Sequence, residues 1–266
     1  MEIKRIHFLF IEFIIIALGV LSALAVDTWI EERNEEKRAV VYRERLTADL
    51  QSDVVSINTT AAYYNQIRQY GLKVIADLEG RQSLDDFALL FAAFNAAEEM
   101  EFALESSTFD DMKNTGGMAV IDDVQLRVNL AAYYHQTEVR GLVWNLPRAY
   151  RVWARGIIPN ALQAAIHENC TAAPVDFSQA NENDPSARFN SAINPGDLMS
   201  ASVDASTFCG LDVSQFPVAS AAAEIRNEPE TARLLRFRMS EARVAIYLLE
   251  GQRDMAEALL DQLQNR

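Results

Sequence analysis

Histidine and cysteine are nearly missing from this chain, and glycine and proline are thin: three, two, ten and seven among 266 residues. Each shortage removes a class of chemistry. His7, His135 and His167 stand far apart and no paired-cysteine motif exists, so no zinc-type ligand spacing is present. His135 beside Tyr133 and Tyr134, and His167 beside Glu168, read as ordinary helix positions. There is no Gly-x-Ser-x-Gly and no glycine-rich loop behind a strand, so neither a nucleophile elbow nor a phosphate cradle is offered. Strand signals are nearly absent, and no period of about 20 to 50 residues recurs. Positive charge is also short, with 24 Lys and Arg against 38 Asp and Glu and a net charge of −14. Such a surface repels phosphate backbones and anionic headgroups alike. The sequence assigns no catalytic residue, no cofactor and no metal, and it excludes nucleic acid as a partner.

What the chain does have is helix-forming apolar sequence. Half of it is apolar, and alanine-rich runs such as "FAAFNAAEE" and "VASAAAEIR" favour packed helices. From Ile6 to Val26 it is apolar but for His7 and Glu12. As a helix that run spans roughly 30 Å, the thickness of a bilayer core. Trp29 follows at interface depth, then the dense charge of "EERNEEKR". A cleaved signal peptide is the competing reading, with Ala23-Leu24-Ala25 as its small-x-small site. The length of the run and the carboxylate inside it favour an uncleaved anchor.

Orientation has two opposing signals. Arg33, Lys37, Arg38, Arg43 and Arg45 outnumber Lys4 and Arg5, which favours a cytoplasmic C-terminal side. A short basic tail before a first span, however, normally stays inside while a long domain is exported. Cys170 and Cys209 flank one loop-like region, and a bridge between them suits an oxidising compartment; two unrelated buried thiols are the alternative. The expectation is a bacterial inner-membrane protein, single-pass, with a periplasmic C-terminal domain.

Beyond the span, Leu46, Leu50, Val54, Ile57, Ala61, Tyr64, Ile67, Gly71, Val74 and Leu78 recur in steps of three and four. They mark one amphipathic helix that continues from the membrane until "EGRQ" ends it. Ser83, Asp85 and Asp86 start the next, "LDDFALLFAAFNAAEEMEF". Thr108 to Asn114 reads as a short helix closed by Gly116-Gly117, and Asp122 or Asp123 caps "VQLRVNLAAYYHQTEVRGLVWNL". Pro147 breaks that helix, "RAYRVWARGI" runs to Pro159, and "NALQAAIHENC" follows. A last helical stretch begins near Pro229, with Gly251 either inside it or between two helices. The expected fold is all-α: an anchor at 1–30, a long stalk helix continuous with it at 31–80, and a helical bundle at 81–170. An irregular insertion at 171–217 and C-terminal helices at 218–266 packing on the bundle complete it.

"IEFIIIALGVLSALAVDTWIEERNEEKR" with "YRERLTADLQSD", and "STFDDMKNTGGMAVIDDVQLRVNLAAYY", resemble a large family of uncharacterised bacterial single-span membrane proteins. Their Glu-containing membrane helix leads into a Trp-x-Glu-Glu-Arg stalk. The resemblance covers about the first 60 residues and Ser107 to Tyr134. It implies an architecture and no activity.

Three sets of residues are singled out. At about 100° per residue Gly19 and Ala23 each fall within about 20° of Glu12, with Ile16 and Ser22 beside them. This is a packing face for another membrane helix, where a carboxylate finds a partner and small residues permit close approach. A Glu12 that merely reaches headgroups is the plain alternative. The second set is Trp144, Arg148, Tyr150, Arg151, Trp153 and Arg155. It offers a face for an anion or aromatic ligand, or else a core helix whose arginines meet acids. The third is the Cys170–Cys209 pair. The expected function is a non-enzymatic interaction or scaffold subunit. It assembles with itself or another integral membrane protein in the bilayer. A sensor-like ligand-binding domain and an ion-coupling partner of a channel-forming protein through Glu12 are the alternatives.

Overall fold

No proline interrupts the first 146 residues, and residues Glu2–Leu78 form one helix, α1, about 115 Å long. The computed structural model describes residues 2–100, 104–144, 148–170 and 209–264, with no side chains described for 1–12 or 137–144. Among the described residues every regular element is helical. After α1 come α2 (Asp86–Ala96), α3 (Ser107–Thr115), a 3₁₀ turn (Gly117–Val120) and α4 (Val124–Trp144). Then follow α5 (Ala149–Ile157), α6 (Asn160–Cys170), a second 3₁₀ turn (Val213–Gln215), α7 (Val218–Asn227) and α8 (Pro229–Gln264).

Local chemistry sets most of the ends. Gly80 takes φ +69°, and Arg81 N–H bonds back to the carbonyl of Ala76, closing α1. The Asp85 carboxylate accepts from Ala88 N–H at 2.8 Å and starts α2. Gly116 at φ +75° stops α3. Asp123 accepts from Gln125 N–H at 2.8 Å to open α4, and Pro229 opens α8.

α8 returns antiparallel along α1, and these two helices share the largest interface in the molecule. At Gly71 the Met239 side chain of α8 fills the place that a Cβ would take. Two apolar cores lie one behind the other along the pair. In one, Tyr42, Leu46 and Leu50 pack with α3, α4 and the end of α8 at Ala256, Leu259 and Leu263. In the other, Ile57, Tyr64, Ile67 and Val74 pack with α2, α5, α6, α7 and α8 from Leu235 to Leu249. α2 is buried on nearly every side, from Phe87 to Ala97.

Two expected boundaries move. The stalk assigned to 31–80 divides at Tyr42: beyond it α1 is a central core helix, and only residues before it stand free. The C-terminal helices pack on the bundle with α8 lying along α1, and Gly251 is inside α8. α2 stops at Ala96 instead of running on through "EEMEF", because arginines from elsewhere in the chain take its last carbonyls. Arg238 donates to Ala96 and Glu98 O, and Arg151 to Ala97 O. Of the insertion, 171–208 lies outside the described residues, whereas Leu211, Val213 and Phe216 rest against the larger core.

Candidate functional site

The feature that most needs explaining is the length of α1 that packs against none of the described residues. From Phe13 to Val26 large apolar side chains stand exposed all round the helix, Trp29 is 60% exposed, and none of the apolar window is buried. By length and composition this segment is able to cross a membrane. The Arg33 guanidinium lies 5.9 Å over the Trp29 ring and pairs with Glu36 at 3.8 Å. From Glu31 to Arg38 the helix is polar all round, as expected of a solvated spacer.

Ile16, Gly19, Ser22 and Ala23 are all exposed on this helix. A Cβ at Gly19 would meet nothing among the described residues, so its smallness serves no contact with them. Glu12 lies in the helical backbone of α1, but its side chain is outside the described residues.

The arginine-rich α5 is differently placed. Tyr150 is buried and donates to Ala93 O at 3.2 Å; burial raises its phenol pKa above the usual range. Trp153 stacks on Tyr150 with ring centres 5.9 Å apart. Arg148 pairs with Glu99 at 3.2 Å, Arg151 with Glu98 at 3.6 Å, and Arg155 with Glu98. Arg155 also sits 3.7 Å over Phe94. The three guanidinium groups are therefore held by acids at the end of α2. The Trp144 side chain falls outside the described residues. His167 joins the same cluster, 3.9 Å from Glu98 and edge-on to Phe94.

Arg238 completes that junction and is the most buried charge in it, 3% exposed. Burial lowers its pKa, opposed by Tyr64 and Glu241, and burial in turn raises that of Glu241. Its spacing with Leu235 and Ala242 puts it on the apolar face in sequence, while its role as a cap for α2 has no local signal.

A second polar layer, unforeseen, separates the two cores. The Asp53 carboxylate accepts from Glu105 N–H and from the Tyr133 hydroxyl, each at 2.8 Å. Gln252 donates to Tyr133 O at 3.3 Å, and Asp49 accepts from Thr108 N–H at 3.3 Å. Burial pushes the Asp53 pKa up to about 6, with the two donors opposing and Asp49 and Glu105 adding to the rise. The layer ties α1, α4 and α8 to the segment leading into α3.

Cys170 and Cys209 are bonded, with Cα atoms 4.8 Å apart, and both are buried in the larger core. The bridge closes the ends of α6 and of the insertion over 39 residues of sequence. An open cleft of 710 Å³ beside Gly80 contains Arg226, which is already bound to Asp77 at 3.0 Å and Asp86 at 2.5 Å. Among the described residues no group of three His, Cys, Asp or Glu is placed to hold a metal ion.

A family model described as "Family of unknown function (DUF6090)" matches residues 12–147. The match takes in the second of the stretches that carry the sequence resemblance, the first from Glu12 on, and the ground between them. No curated protein and no solved structure matches the chain.

Proposed function

Taking as premise that the chain belongs to this family of unknown function, we propose that it is a single-span, non-enzymatic interaction subunit of a bacterial inner-membrane complex. One observation carries the reading: the unpartnered apolar length of α1 is continuous, without a break, with the central helix of the bundle. A lipid-facing helix alone would anchor the domain. The Glu12, Gly19 and Ala23 face adds a reason to assemble, because small residues allow close approach and a carboxylate in lipid needs a partner or water. The occupant is a second copy or another integral membrane protein.

The bonded cysteines support a bundle in the oxidising periplasm, since such bridges are rare in the reducing cytosol. The polar spacer from Glu31 to Arg38 then holds the bundle clear of the headgroups. The test is the mass of the complex purified in mild detergent, wild type against Glu12→Ala. An oligomer or hetero-complex that falls apart in the variant supports the reading. Monomers in both would end it.

A further inference from the structure

The outer face of α8 carries three large apolar side chains that no part of the described fold covers. Phe237 is 61% exposed, Val244 50% and Tyr247 74%. Phe237 and Val244 are seven residues apart and so point within about 20° of each other, with Tyr247 about 60° further round. Arg236 and Arg243, also seven apart, run exposed along one edge of this stripe. Arg236 donates to Ala232 O of its own helix, and Arg233 at the head of the stripe pairs with Glu230.

From Glu230 to Tyr247 the helix holds four arginines and two glutamates, within a chain whose net charge is −14. Arg238 turns inward, which leaves a basic, aromatic edge on an acidic protein. Aromatic and arginine side chains together are the composition on which binding energy concentrates at interfaces.

The bilayer does not cover this stripe. Arg238 lies over Tyr64 of α1, about 57 Å along the helix from Val26, the last residue of the apolar run. A second copy is also a poor occupant. In two chains anchored in one membrane α8 runs the same way in both, so Arg236 and Arg243 would come level with their own equivalents.

We infer that this face of α8 docks an acidic amphipathic helix of another protein. Its apolar residues, repeating at about seven, seat on Phe237, Val244 and Tyr247, and its carboxylates meet Arg236 and Arg243. The inference rests on the reading as an interaction subunit and adds a contact remote from the membrane helix.

The experiment places a photo-cross-linking amino acid at Tyr247 in the full chain, in its own membranes, with and without Arg236→Glu and Arg243→Glu. The expected result is an adduct to a different protein, mapped by mass spectrometry to an acidic segment of helical periodicity. Charge reversal should cut its yield by at least about tenfold without changing the melting temperature. A self-adduct, no adduct, an adduct on a segment that is not acidic, or one indifferent to the reversal overturns the inference. The detergent mass of the complex, read on the same samples, keeps the two proposals apart. It reports on the membrane helix whether or not the α8 adduct forms.

Discussion

Two lengths of one helix, Phe13–Val41 and Tyr42–Leu78, are built of similar apolar residues and end in opposite states. Leu21 and Leu24 stand in the open, whereas Leu46 and Leu50 are fully buried. The difference lies in what surrounds the apolar positions. Between Ile6 and Val26 they cover the whole circumference, which suits lipid on all sides. Beyond Tyr42 they keep to one stripe and leave polar residues on the other side, which suits a neighbouring helix and water. On the proposed reading, one continuous backbone serves two solvents, with the charged spacer as the transition.

That contrast can be broken most forcefully from the packed side. Arg238→Ala removes the buried cation that caps α2 and faces Glu241, and a loss of about 3–5 kcal/mol is expected. It would show as a large fall in the melting temperature of the full chain in detergent. Leu46→Ala opens a cavity in the smaller core and should cost about 2–5 kcal/mol by the same measurement.

The polar layer gives a pH signature. Burial pushes the Asp53 carboxyl up to about 6 in the folded protein, against 3.8 for a free aspartate. Between those values the folded state holds a proton that the unfolded chain has released. Stability is therefore highest below the lower value and falls as pH rises through about 6, by about 3 kcal/mol in all from this group. Asp53→Asn should flatten that slope of melting temperature against pH; an unchanged slope would show that Asp53 is not its source. The smallest effect belongs to the free length. Leu21→Ala, the same type of change as Leu46→Ala, should move the melting temperature of the bundle by no more than about 0.5 kcal/mol equivalent.

Much of the helical outline was legible because its punctuation is local. Asp85, Gly80, Gly116 and Pro229 each act within one turn of the end that they set. The family-like stretches sit in α1 and around α3 and α4, within the matched residues. The point where α1 enters the bundle was not legible. The three-and-four stripe from Leu46 looks the same whether it meets a partner or α8 of the same chain, more than 180 residues later. The end of α2 was hidden for a similar reason, since Arg238 reaches it from 142 residues away.

Asp53 left a faint signal. Leu46, Leu50, Asp53 and Ile57 follow steps of four, three and four, so the carboxylate stands on the buried stripe. Val54, half-buried beside it, fits the apolar pattern and masks that signal. In α5, the sequence left a ligand face and a core helix both open. Glu98 and Glu99, which pair with its arginines, gave no signal there because they stand at the end of a different helix.

The most direct test of one helix in two environments is a single-cysteine scan of α1 from Phe13 to Leu50 in intact cells, with a membrane-impermeant maleimide. The bonded Cys170 and Cys209 leave little background. The account predicts silence from 13 to 26, labelling from 31 to 41, and then a pattern that follows burial, with 42, 46 and 50 silent and 43 to 45 reactive. Uniform labelling from 13 to 41 would contradict an embedded segment. Silence from 31 to 41 that appears only in intact cells and vanishes on lysis would place the bundle on the other side of the membrane.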